Sequence, residues 1–311
     1  TSIAIITGNT TRKAVFALIL ALTALPWLSV KYVPVTAALA AYFLYKNWNN
    51  ERKKTYFFSV VMGISAIAYL IIHKRIYGGW TVYASGDHFV NGEFEVVGRN
   101  PNLAARTRRL SGLLLDQQFG LIPWTPAFFA LIPAFAFTVK ERFKETFLLL
   151  LCAVVGWSVA TWVALTMHGW WWPGRQLVVI LPTAIIAMAI LAEKFKAWRW
   201  FIYLGGISGV TAWLWLAFEA TTDRRTLVVD FYETSYPVYQ ALADVLPDFT
   251  DFDQSAVLSN GIWLTGIAVA TILTVTRKTK VPTKRPFIRY ETHTQTLKIQ
   301  GTKSKLKISK Q

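Results

Sequence analysis

Residues 146–167 read "TFLLLLCAVVGWSVATWVALTM", and the chain continues through 168–182 as "HGWWWPGRQLVVILP". The first stretch is apolar for about as many residues as a bilayer-spanning helix needs, roughly 20. The second turns sharply at Pro173-Gly174, carries three tryptophans and one arginine, and enters a further aliphatic run. That is the pattern of a span, an interfacial turn and a second span, with the Trp rings at headgroup level.

The remaining chain follows suit. Apolar blocks predict eight helices, near 14–30, 32–46, 55–72, 119–138, 146–167, 176–192, 199–218 and 257–276. The first two are short, with Pro26 and Pro34 near their junction, and read as a tilted or re-entrant pair. Of the 311 residues 54% are hydrophobic and only 16% charged, against about 25% charged in soluble domains. Period-2 alternation is missing from these blocks, which argues against an outer-membrane barrel. The expected fold is all-α, a polytopic transmembrane bundle over residues 1–276 with a flexible basic tail over 277–311.

The net charge of +16 does not point to nucleic acid. Most of the Lys and Arg residues lie in short gaps between apolar blocks and in the tail, where they orient a chain in a bilayer and attract anionic lipid. With the fragment's N-terminus cytoplasmic, Arg12/Lys13, Lys46 to Lys54, Lys140 to Lys144, Lys194 to Arg199 and the tail all fall inside. This predicts a multi-pass protein of the cytoplasmic membrane, with two longer outward loops at 73–118 and 219–256. Residue 1 is Thr and no cleavable leader follows, so the chain reads as the C-terminal part of something longer. Cys152 stands alone and can form no intrachain disulfide.

Three constellations could carry chemistry. Arg175 is expected to open the sixth helix, where a cation is the wrong sign for the helix dipole. Binding a phosphate or carboxylate would explain it, and so would snorkelling to lipid. His168 stands at the start of the same turn, and Trp171 and Trp172 could pack on a sugar or isoprenoid. Asp116 and Gln117 sit where the fourth helix enters the membrane, either capping it or facing sugar hydroxyls across from Arg175. Arg106, Arg108 and Arg109 exceed the usual outward quota of positive charge, to meet a lipid-linked phosphate or to pair with Asp244, Asp248, Asp251 and Asp253. Asp87, His88, Glu93 and Glu95 match no compact metal motif; no cofactor is evident, and a divalent cation stays open. No phosphate loop, nucleophile elbow or zinc motif occurs.

"ALPWLSVKYVPVTAALAAYFLY" (24–45), "GLLLDQQFGLIPWTPAFFALIPAF" (112–135) and "WWWPGRQLVVILP" (170–182), in that order, resemble bacterial polytopic membrane proteins of the GT-C glycosyltransferase class. The resemblance covers most of residues 14–192. It implies transfer of a sugar from a polyprenyl-phosphate carrier at the outer membrane face, with an acid in the first outward loop as base. No Asp or Glu precedes Glu51 here, so on this reading the catalytic acid lies upstream and this chain supplies the donor-lipid cavity. A transporter or flippase for a lipid-linked or anionic substrate would use the same arginine, and a non-catalytic scaffold would need none of it.

Overall fold

The computed structural model describes residues 11–80, 84, 102–164, 166–168, 174–226 and 231–277. Among them every regular element is a helix. In chain order these are α1 (Arg12–Leu28), α2 (Val33–Asn47), α3 (Arg52–Tyr77), α4 (Leu103–Thr107), α5 (Arg109–Leu115), α6 (Leu121–Trp124), α7 (Leu131–Ser158), α8 (Leu181–Lys194), α9 (Lys196–Thr221), α10 (Pro237–Ala243) and α11 (Gln254–Thr276). Short 3-10 turns occupy Val30–Tyr32, Pro126–Ala130, Arg175–Leu177 and Phe231–Glu233, and a π-turn Val159–Val163.

Four stretches are long and apolar enough to cross a membrane: Arg52–Tyr77, Thr146–Val163, Lys196–Thr221 and Gln254–Thr276. Only 11%, 17% and 11% of the most apolar windows of α3, α9 and α11 are buried within the protein, against 50% for Thr146–Val163. Ile64, Ile67, Leu204, Ile207, Leu214, Leu258 and Ile262 are each 60–67% exposed. Apolar surface of that extent has no place in water; it is the lipid-facing surface of a membrane protein.

The expected break at Lys140–Lys144 takes an unexpected form. Every residue from Leu131 to Ser158 is locally helical, yet the Thr146 hydroxyl donates to the Thr138 carbonyl at 3.4 Å, a contact no continuous helix allows. Residues eight apart in a straight helix are separated by about 12 Å, so α7 doubles back between them. Its first arm packs Leu131, Ala134 and Phe137 into the main core with α8. Its second arm packs Leu148 and Cys152 against Val15, Leu18, Leu39 and Phe43 of α1 and α2. Lys140, in the bend, donates to the Val275 carbonyl at 2.5 Å, at the last turn of α11.

The block expected as one helix over 119–138 is broken. Pro126 lacks an N–H and drives the residue before it out of the helical region; Thr125 is extended at φ −143°, ψ 88°. The break is accommodated by α9. A β-carbon on Gly205 would meet the Ala127 amide nitrogen at 2.4 Å, and one on Gly209 the Thr125 hydroxyl at 2.5 Å. These two glycines, four residues apart, form a small-residue face that lets irregular backbone lie against a helix.

Contacts between helix ends sort into two sets. Asn47–Thr55, Lys140–Val275 and Trp198–Thr274 mark one end of the bundle. Lys31–Arg175, Asp116–His168 and Trp215–Ser235 mark the other. Successive long helices therefore alternate in direction, with the α1–α2 turn, residues 166–168 and 174–180, and the ends of α3 and α9 at the second end.

Candidate functional site at the Arg175 end

Asp116 ends α5 and is fully buried. Its Oδ1 accepts the amides of Gln118 (2.9 Å) and Phe119 (2.6 Å). Its Oδ2 accepts the Phe249 amide at 3.0 Å and lies 3.2 Å from His168 Nε2. The carboxylate thus shapes the 116–120 turn itself; Gly120 is the residue that precedes α6. A burial this complete is tolerable because each oxygen is satisfied twice. Gln117 is equally engaged, its side-chain amide donating to Asp248 Oδ2 at 2.7 Å and its backbone N–H to the Pro247 carbonyl at 3.0 Å. Neither side chain faces Arg175; both fasten the segment before α11 onto the start of α6. The hydrophobic face of this knot is Phe119, edge-on to both His168 and Phe231.

Tyr239 of α10 stacks on Trp124, ring centroids 4.1 Å apart. Burial first, then the charge of Asp116 and the neighbouring Tyr232, pushes its phenol well above the usual tyrosine range, so its proton stays on.

His168 side-chain exposure is 30%. Since a carboxylate only accepts, the imidazole nitrogen facing Asp116 carries the hydrogen, and the lone pair of the neutral ring is left on Nδ1. Nδ1 has no partner among the described residues.

Arg175 does not open the sixth helix. It begins a three-residue 3-10 turn behind Gly174, whose φ is +74°, and α8 starts only at Leu181, with Pro182 in its first turn. Pro182 explains the delay, since proline is favoured in a first helical turn. A β-carbon on Gly174 would meet Leu121 of α6 at 2.6 Å, which fixes the turn against the Asp116 knot. Arg175 is exposed. Lys31, half-buried in the α1–α2 turn, donates its ammonium to the Arg175 carbonyl at 3.2 Å. Gln176 donates to the Thr166 carbonyl at 3.1 Å, and its own side-chain carbonyl oxygen and the Thr166 hydroxyl are buried without partners among the described residues.

Arg106 and Arg109 do not wait in a loop. Arg106 donates to the Trp162 carbonyl and Arg109 to the Ala164 carbonyl, both at 2.6 Å. Trp162 lies in, and Ala164 caps, the π-turn that ends the second arm of α7, a C-terminal end where cations are favoured. Burial and, second, the neighbouring Arg106 charge lower the Arg109 guanidinium to about 10. Arg108 lies over the Phe252 ring at 4.9 Å. Two of the acidic run are occupied elsewhere: Asp248 with Gln117, and Asp253 capping α11 through the Ala256 amide at 2.8 Å.

A buried acid that the sequence does not single out stands nearby. Glu219, at the end of α9, accepts Trp215 Nε1 (3.2 Å), the Thr234 hydroxyl (2.7 Å) and both the amide and hydroxyl of Ser235 (2.9 and 2.5 Å). Its partners Thr234 and Ser235 lie 15 and 16 residues away in an irregular segment, a spacing no helical periodicity flags.

Among the described residues no three His, Cys, Asp or Glu side chains converge on a metal site. Trp171 and Trp172, the loop holding Asp87, His88, Glu93 and Glu95, and the tail after Arg277 lie outside the described residues. Comparison with protein-family models, with curated proteins and with solved structures finds no match to this chain.

Proposed function

We propose that this chain is a membrane-embedded, glycosyltransferase-like protein that takes a sugar from a polyprenyl-phosphate donor, and that the donor's phosphate binds at Arg175. The observation that carries this reading is the Lys31 ammonium on the Arg175 carbonyl. It brings a second cation, from a different pair of helices, to a position at the end of the bundle where a lipid headgroup sits. Arg175 offers a planar fork and Lys31 a point charge, a pairing suited to the donor's phosphodiester and still more to the monoester left when the sugar departs. The isoprenoid lies along the apolar outer faces, and a sugar reaches toward His168.

The opposite end, with Lys46, Arg52, Lys53, Lys54, Lys140, Lys194, Lys196 and Arg199, is the cytoplasmic one on the positive-inside rule, so the Arg175 end faces outward. The basic tail then meets anionic lipid on the cytoplasmic side.

The test is binding of radiolabelled farnesyl phosphate to the protein in nanodiscs, with farnesol as the uncharged control. Arg175→Ala and Lys31→Ala should each weaken farnesyl phosphate binding about tenfold and leave farnesol binding unchanged. Competition by inorganic phosphate alone would show a free-anion site instead. Equal binding by all three proteins would sink the assignment.

A second reading has one observation in its favour. The helix break at Thr125–Ala130 lies against the middle of α9, and discontinuous helices line the substrate sites of many transporters. Movement of a fluorescent polyprenyl phosphate across proteoliposomes, lost in Arg175→Ala, would favour a flippase over a transferase.

A further inference from the structure

The Asp116–His168 pair has the geometry of an oriented base, and the phosphate reading gives it no task. Asp116 is fully buried and its orientation is fixed by three backbone amides from two separate segments, Gln118, Phe119 and Phe249. It therefore holds His168 as a fixed acceptor and sets the tautomer, with hydrogen on Nε2 and the lone pair on Nδ1. Phe119 packs edge-on against the imidazole with ring centroids 5.1 Å apart, and restricts its rotation. The ring remains 30% exposed, so a small polar group can reach it. A histidine needed only to satisfy Asp116 has no use for that exposure, because three amides already serve the carboxylate.

We propose that His168 is a proton acceptor for the sugar acceptor's hydroxyl, with Asp116 as its positioning residue; this rests on the sugar-transfer reading above. In the step, the hydroxyl oxygen forms a bond to the anomeric carbon while the bond from that carbon to the carrier phosphate breaks. The hydroxyl proton passes to His168 Nδ1. The bonding pair leaves with the polyprenyl phosphate, whose added charge meets Arg175 and Lys31. The imidazolium is stabilised by the Asp116 carboxylate and returns its proton to water. Among the described residues, Tyr239, whose phenol stays protonated, lies beside Asp116, and Asp248 is held by Gln117.

The experiment uses the full protein in nanodiscs with a polyprenyl-phosphate hexose carrying a radiolabelled sugar and an alkyl glycoside as acceptor. His168→Gln keeps an amide donor for Asp116 but has no basic nitrogen, so it separates the two roles. It should fold and bind farnesyl phosphate as the unaltered protein does, with kcat down about 100-fold or more and KM little changed. His168→Ala should lose as much, and added imidazole should restore part of the rate. Transfer by His168→Gln at the original kcat would overturn the role and leave His168 as a mere partner of Asp116. No transfer by the unaltered protein, despite Arg175-dependent lipid-phosphate binding, would also overturn it while the phosphate site stands. Loss of both activities would remove the underlying reading together with this one.

Discussion

Gly205 of α9 approaches Ala127 so closely that a β-carbon would lie 2.4 Å from its amide nitrogen and 2.9 Å from its Cα. The neighbour is backbone in a proline-broken segment and cannot rotate away. Gly205→Leu should therefore push α9 off the Pro126–Ala130 turn and destabilise the protein by about 1–3 kcal/mol. Gly206, where a β-carbon would have nothing within 4 Å, is the control. Unfolding in SDS titrations should separate the two variants, and an equal midpoint for both would refute the close packing.

Glu219 should act as the clamp of the C-terminal end of α9. Glu219→Ala strands the Thr234 and Ser235 donors, which have no other carboxylate among their hydrogen-bond partners. A cost of about 3 kcal/mol is expected for leaving buried donors unmet. Glu219→Gln should cost less, since one acceptor oxygen survives. Thermal unfolding in detergent, followed by Trp215 fluorescence, measures both; an unchanged midpoint in Glu219→Ala would contradict the clamp.

The long spans were legible because bilayer thickness writes itself directly into apolar run length. α3, α9 and α11 fall within a few residues of the expected ranges. What composition could not show was geometry within a run. The block at 119–138 looked continuous because Pro123 and Pro126 are as apolar as their neighbours; the break depends on Gly205 and Gly209, far along the chain in α9. The bend in α7 falls at Lys140 and Glu141, where charge interrupts the apolar run, although each residue through it is locally helical. At the site, Asp116 and His168 each stand out in the sequence by residue type, but their contact spans 52 residues and no periodicity links them. The aliphatic run from Leu177 places a helix start at Arg175 on sequence grounds; Pro182 sets the actual start.

Arg106→Met should loosen the end of the second arm of α7. The guanidinium is almost fully buried and covers the Trp162 carbonyl, so methionine retains bulk but leaves that acceptor unmet. A loss of about 1–2 kcal/mol is expected, with faster amide hydrogen exchange across Val159–Val163. Arg106→Lys should fall between, since an ammonium donates without the fork. Unaltered exchange in Arg106→Met would show that the carbonyl does not need the cation.

Asp253 gives a sign-definite pH dependence. The Ala256 amide, then the Ser255 hydroxyl, hold its carboxyl below the ordinary value of 3.8, against a small opposing effect of burial. A group with a depressed folded value contributes its full stabilisation above the unfolded value and loses it as pH falls through the folded one. The first turn of α11 should therefore be equally protected at pH 7 and pH 5, and fray below about pH 4. Asp253→Asn preserves the cap, because asparagine serves that position as well as aspartate, but it cannot be protonated in this range. Its α11 terminus should stay protected into acid while that of the unaltered protein frays, as read by hydrogen exchange at Ala256 and Val257. Identical acid fraying in the two proteins would mean that another carboxylate governs this end of the helix.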